Sequence, residues 1–319
     1  MTDAYDPNAV LSLAGDAELL AAALEELGVH ALEIARTVRP GLHGRRQSGS
    51  GDSFWQYRRF GDGDQASSID WRRSARSEDG LYFVRETEWE TAQTVYVWSD
   101  LSPSMGFRSS LAPQAKADRA ILLMLALTTL MVEGGERVAL PGTMMPSAHR
   151  RAPRLIAEHL SAGIGSGPAM RFPDPADMAD KGTCVVFSDF LDPIETLAPQ
   201  LRMLNDMNLG LHLVEIADPA EETLPYDGRV EFMPVEDGSP YLAGRVETIR
   251  DAYTEELQAH RDAVADEAHR LGATLLRHRT DRSPEVALLT LATQIRDEET
   301  AGYLMDHHGD DPLQPAGAR

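Results

Sequence analysis

Asp100, Ser102 and Ser104 stand at alternate positions of the run Asp-Leu-Ser-Pro-Ser-Met-Gly over 100–106. Alternate side chains of an extended turn point the same way, so one carboxylate and two hydroxyls converge. Hard oxygen donors with little charge suit Mg²⁺, which takes octahedral geometry and keeps several waters. A second carboxylate comes from Ser188-Asp189. Two carboxylates and two hydroxyls leave coordination positions open, and an acidic residue of a partner protein would complete them. The same residues also suit plainer work. Asp100 and Asp189 can cap the helices that follow them, and Ser102 and Ser104 can make local turn bonds. Asp100, as a loop carboxylate, is expected to contribute little to the core.

These residues need strands that end beside one another. Residues 94–100 (TVYVWSD) and 183–190 (TCVVFSDF) are β-rich and apolar, and the second reads as a strand buried on both faces. Strands are also expected over 81–90, 137–140, 210–217 and 274–278, with a short one over 229–233. The pair 81–90 and 94–100 is expected to associate antiparallel. Helices are expected over 16–36, 115–133, 153–162, 193–207, 245–271 and 284–296. Alternating strand and helix predicts an α/β fold: an open, mostly parallel sheet with helices on both faces. Such sheets bind ligands beyond the carboxyl ends of their strands, which is where Asp100 and Asp189 fall. The expected organisation is an N-terminal helix and Gly/Arg/aromatic segment with an edge strand over 1–90, the α/β domain over 91–296, and a flexible acidic tail over 297–319.

Composition narrows the chemistry. The chain has 319 residues, 42% hydrophobic and 25% charged, enough apolar content for a sizeable core. One cysteine, Cys184, excludes an intramolecular disulfide framework and a cysteine zinc cage. It lies in an apolar strand and is expected to be a buried, inert thiol. The formal charge is −21, which repels nucleic acid and anionic lipid. Residues 36–85 depart from this, with ten arginines against six acids, a net +4 that leaves −25 on the remainder. Trp55, Tyr57, Phe60 and Trp71 are interleaved with those arginines. Base stacking is one use of that pattern, and packing with cation–π contacts is the plainer one. Asp62, Asp64 and Asp70 are expected to fix arginines by paired hydrogen bonds. Glycines near Arg45 and Arg46 lack the G-K-[ST] of a nucleotide loop.

Other candidates carry less. His260 and His269 have no HExxH spacing, and no serine elbow or G-x-G-x-x-G is present. His307-His308 sits among Asp306, Asp310 and Asp311 and reads as solvated tail. The run 120–132 is short of the ~20 apolar residues that span a bilayer. No basic, apolar leader precedes the first helix, so a cytoplasmic location is expected.

The Asp-x-Ser-x-Ser run resembles the metal-ion-dependent adhesion site of von Willebrand factor A-like domains. More specifically, the chain resembles the bacterial family called domain of unknown function 58. The likeness rests on GSGDSF from Gly49, Tyr57-Arg58, GDGD from Gly61, IDWR from Ile69, SAR from Ser74, and Arg85-Glu86 leading to DLSPSM. Asp218-Pro219, Leu224-Pro225 and Thr280-Asp281-Arg282 add to it. The resemblance implies a von Willebrand factor A-like sheet and a partner, a MoxR-type AAA+ ATPase or its client, in chaperone-like assembly. Adhesion sites also use a threonine between the serines and the last aspartate. None stands over 163–170; Ser166 is the stand-in there, and Thr143 comes too early.

The expected function is a non-enzymatic protein-interaction module. Its site is Asp100, Ser102, Ser104 and Asp189, with Mg²⁺ as the cofactor the resemblance implies. Arg58, Trp71, Arg72 and Arg76 are the partner-binding residues of the basic segment. One rival is a metal-dependent hydrolase or phosphotransferase using the same carboxylates, for which no His or Lys base is evident beside them. The other is nucleic-acid binding through 36–85, which the −25 elsewhere opposes.

Overall fold

The computed structural model describes residues 34–35, 48–49, 53–61, 66–77, 79, 81–88, 93–163, 171–179, 181–233 and 239–307. The chain forms two compact units, His43–Ala92 and the rest.

The smaller unit carries more regular structure than its sequence suggests. Strands β1 (Ser48–Gly49), β2 (Ser53–Arg59) and β3 (Phe83–Glu88) form an antiparallel sheet in the order β1-β3-β2. The expected pairing of 81–90 with 94–100 is therefore corrected: β3 pairs with β1 and β2. A register shift between Phe54 and Gln56 breaks the alternation of β2, which is why no period is visible there. Between β2 and β3 lies a one-turn helix, α1 (Trp71–Ser74), capped by Asp70.

The larger unit is a six-stranded sheet. Its strands are β4 (Thr94–Ser99), β5 (Arg137–Leu140), β6 (Met144–Ser147), β7 (Thr183–Ser188), β8 (Gly210–Ala217) and β11 (Thr274–Arg279). The order is β11-β8-β7-β4-β5-β6, parallel except for the edge strand β6. A separate hairpin joins β9 (Val230–Phe232) to β10 (Tyr241–Ala243). The helices are α2 (Lys116–Glu133), α3 (Ala152–Gly163), α4 (Ile194–Asn205), α5 (Pro219–Thr223), α6 (Arg250–Arg270) and α7 (Pro284–His307). The last runs to His307, past the boundary at 296 read from the sequence.

Alternation along the central strands divides the core into two layers. Val95, Val97, Val185 and Phe187 pack with α2, α3 and α7. Tyr96, Cys184 and Val186 face the other way, against α4 and α6. Strands buried on both faces must be apolar throughout, and β7 is buried at every position. Full burial of a side chain such as Phe187 is worth about 1.5–3 kcal/mol. The apolar run 120–132 lies in α2, whose residues from Ala120 to Val132 are all buried, as expected of a helix apolar all round. Among the described residues no helix is long and apolar enough to cross a membrane. Of the helix expected over 16–36, Ile34 and Ala35 are helical and buried in the first layer, and the remainder lies outside the described residues.

Gly182 sets the entry to β7. Its φ is +135°, and a Cβ there would collide with the Thr94 carbonyl oxygen of the neighbouring strand. Only glycine accepts both demands.

Candidate functional site

The sheet order reverses between β4 and β7. Strand β4 begins the larger sheet; the chain then adds β5 and β6 on one side and β7, β8 and β11 on the other. Adjacent parallel strands whose crossovers leave in opposite directions open a crevice beyond their carboxyl ends. Ser99 pairs with Phe187, and the Asp100 N–H donates to the Phe187 carbonyl at 2.8 Å. Asp100 and Ser188-Asp189 thus leave the sheet at the same end, side by side.

Asp100 is fully buried. Its Oδ1 accepts the Ser102 N–H at 2.7 Å, and its Oδ2 accepts the Ser188 hydroxyl at 2.7 Å. Burial pushes its carboxyl above the ordinary range, against the opposing pull of these bonds. A carboxylate so enclosed contributes to the fold, which corrects the expectation that Asp100 matters little to it. Ser102 and Ser104 do converge, with hydroxyl oxygens 3.1 Å apart. Ser104 lies in a short 3-10 turn, Pro103–Gly106, that follows Ser102.

Two cations that the sequence reading missed stand against this group. Lys116, at the start of α2, is fully buried and places Nζ 2.9 Å from Asp189 Oδ2 and 2.5 Å from Glu221 Oε1. Asp189 Oδ1 accepts the Leu191 N–H at 3.2 Å. Burial alone would lower the Lys116 amine's pKa, but the two carboxylates outweigh it and hold it above its ordinary value. The second cation is Arg171. Its Nη1 lies 3.3 Å from Ser102 Oγ and 3.9 Å from Asp100 Oδ2, and its Nε lies 2.9 Å from Asp192 Oδ2. No local motif announces either residue; Lys116 is 73 positions from Asp189 and 105 from Glu221.

Glu221 ties the crevice to β8. It closes a capping box on α5 by accepting the Asp218 N–H at 2.9 Å, while Asp218 accepts from Ala220 and Ser109 backbone N–H groups at 2.8 Å each. Phe190, just past Asp189, has φ +49°. Its carbonyl accepts from His260 Nε2 at 2.7 Å, so that nitrogen carries the proton.

The donors do not suit an open Mg²⁺ site. Both oxygens of Asp100 and of Asp189 already accept hydrogen bonds or an ion pair, and Arg171 stands on the Ser102 hydroxyl. Among the described residues no three His, Cys, Asp or Glu side chains group as metal ligands. Thr143 lies in the β5–β6 turn, its N–H bonded to the Leu140 carbonyl. Ser166 lies outside the described residues.

In the smaller unit, Asp70 Oδ1 accepts the Arg73 N–H at 2.9 Å and Oδ2 accepts the Tyr57 hydroxyl at 3.2 Å. Asp62 and Asp64 lie outside the described residues. Arg73 rests over the Tyr57 and Phe83 rings at 5.8 and 5.0 Å. Trp71, 61% exposed, meets Tyr82 edge-on at 5.8 Å. Arg72 and Arg76 are exposed beside them, and Arg58 belongs to β2. Cys184 is buried, and burial pushes its thiol up to about 12.

Residues 56–263 match a family described as "Protein of unknown function DUF58". Uncharacterized proteins of Mycobacterium tuberculosis and Mycobacterium bovis are each 27% identical over 300 residues, covering 89% of this chain and 92% of theirs. Two solved structures are similar at 12% identity. One is the conserved hypothetical protein BatB from Bacteroides thetaiotaomicron, with TM-score 0.41, 66% of this chain and 100% of that one. The other is an aerotolerance-related membrane protein from Bacteroides fragilis, with TM-score 0.38, 65% of this chain and 100% of that one.

Proposed function

The chain belongs to the DUF58 family, and from that premise we propose that it is a non-enzymatic module that docks a protein partner at the crevice between β4 and β7. The observation that supports this most is the state of the crevice's polar groups. Asp100 and Asp189 are held by backbone N–H groups, a serine hydroxyl and a buried lysine, an arrangement for rigidity rather than for turnover. A general base must be able to lose its proton near the working pH. Lys116, the amine missing from the sequence reading, is held protonated and enclosed, which supports the docking reading over one in which this amine is the general base. The partner implied by the family resemblance is a MoxR-type AAA+ ATPase or its client. The exposed Trp71, Arg72 and Arg76 form a second recognition patch in this reading, with Arg58 assigned to it from the sequence.

The test compares parent and Asp100→Asn as bait for a purified MoxR-type ATPase, with and without ATP. Binding by the parent and its loss in the variant is the expected result. Equal binding by both would remove the crevice from the interaction. Steady phosphoester turnover by the parent, lost in Asp100→Asn, would favour the enzyme reading instead.

A further inference from the structure

The crevice has the backbone placement and serine pair of a cation site, yet protein cations surround its carboxylates. Arg171 Nη1 is 3.3 Å from Ser102 Oγ and 3.9 Å from Asp100 Oδ2, while Nε is fixed by Asp192. Mg²⁺ binds oxygen at ~2.1 Å. An ion on the Ser102 hydroxyl would therefore lie no more than about 5.4 Å from the guanidinium nitrogen, a juxtaposition of like charges. Lys116 does the corresponding work on the other carboxylate, joining Asp189 to Glu221 from the start of α2.

We infer that Arg171 and Lys116 stand in for the divalent ion, so that the crevice is a metal-independent site with built-in positive charge. Arginine suits this substitution. Its fork spans a carboxylate and a hydroxyl at once, and it stays charged at any physiological pH. Lysine supplies a compact point charge where two carboxylates meet in a buried space. The consequence for docking rests on the interaction reading above: a partner meets the partly exposed Arg171, behind which the buried Lys116 holds Asp189, with no requirement for free Mg²⁺.

The inference is tested on metal binding, which is separable from partner binding. The full chain is stripped with chelator, and its melting temperature is measured with and without 10 mM Mg²⁺ or Mn²⁺, alongside Arg171→Ala. A ligand at about 100 times its Kd raises the melting temperature of a domain this size by several degrees. The expected result is no metal-dependent shift in the parent and a gained shift in Arg171→Ala, where the Ser102 hydroxyl and Asp100 are freed of the guanidinium. A parent shift of several degrees that disappears in Asp100→Asn would overturn the inference. So would the absence of any shift in both proteins, since the guanidinium would then not be what excludes the ion. Should Arg171→Ala not fold, Mn²⁺ binding to the parent, read by electron paramagnetic resonance, decides the matter. Bound Mn²⁺ that is lost in Asp100→Asn counts against the inference, and unbound Mn²⁺ counts for it.

Discussion

The Lys116 ammonium lies 2.9 Å from the Asp189 carboxylate, and both groups are buried. This pair fastens the start of α2 to the end of β7, two elements 73 residues apart. Breaking such a pair by removing one partner costs about 3–5 kcal/mol, because a charge is left buried and uncompensated. Lys116→Met is therefore expected to lower stability by that order in urea unfolding. Combining it with Asp189→Leu should cost less than the two single changes added, with a coupling of about 0.5–3 kcal/mol. Strict additivity would show that the pair does not act as a unit. The raised amine also gives an alkaline signature. Its stabilisation is fully present below 10.5, the ordinary value, and is lost as pH rises through the higher folded value. Lys116→Met should lack that loss.

His278 predicts the acid side. It is 5% exposed at the end of β11, with Nε2 3.5 Å from Arg119 Nη1, and burial first and Arg119 second lower its pKa from 6.5 to about 4. The unfolded chain takes a proton below pH 6.5 that the folded chain refuses until about pH 4. Stability therefore falls as pH drops through that window, by roughly 3 kcal/mol at most for this one residue. His278→Gln should flatten the parent's slope between pH 6.5 and 4 in denaturant titrations at stepped pH. An unchanged slope would mean that the imidazole is not held neutral.

Arg119 ties the surroundings of His278 together. It donates to the carbonyls of Thr280 and Arg282 at 2.8 and 2.9 Å, pinning the turn after β11 to α2. Arg119→Met keeps the stem and removes the guanidinium, leaving two carbonyls unserved. Each costs about 1–3 kcal/mol if it stays dry. A melting temperature within a degree of the parent would indicate that water replaces the guanidinium.

The central sheet was legible because β4 and β7 are buried on both faces and so had to be written in apolar, β-branched residues. Asp100 and Asp189 followed from them, since a parallel pair ends at one side. What stayed hidden had other causes. Strand β2 is broken by a register shift, and β6 is a four-residue edge strand containing Pro146, a place where strands tolerate proline. Strand β9 answers to the short strand expected over 229–233, but its partner β10, three residues long, is too short to show a period. Lys116 opens a helix and looks like any first-turn cation; its partners come from the ends of other elements, which only the folded chain brings near.

The smaller unit gives opposite expectations for two neighbours. Ser74 is buried, its hydroxyl donating to the Asp70 carbonyl at 2.8 Å and accepting the Phe83 N–H at 2.9 Å. Ser74→Ala leaves both groups short and is expected to cost about 1–3 kcal/mol. Arg72 is exposed, so Arg72→Ala should change stability by less than about 0.5 kcal/mol. Were Arg72 one of the arginines that Asp62, Asp64 and Asp70 are expected to fix, its loss would cost several times that. If Arg72→Ala weakens partner binding at unchanged melting temperature, its role is recognition. A melting temperature several degrees lower would restore the structural role.

Asp100 separates folding from docking when two substitutions are compared. Its carboxylate serves two donors, the Ser102 N–H and the Ser188 hydroxyl. Asp100→Ala leaves both in a dry place and is expected to cost about 2–5 kcal/mol. Asp100→Asn keeps the shape and one acceptor oxygen, and the Ser188 hydroxyl can turn to accept from the new amide. Its expected cost is about 1 kcal/mol. The charge beside Arg171 is nevertheless gone, so the guanidinium loses one of its carboxylates. Partner binding should therefore weaken in Asp100→Asn although the fold persists, and the weakening should be the same in Mg²⁺ and in chelator. Measuring melting temperature and partner affinity together, in both conditions, checks this. Affinity equal to the parent in both would mean that the crevice charge plays no part in docking, while the cost of Asp100→Ala would still report its place in the fold.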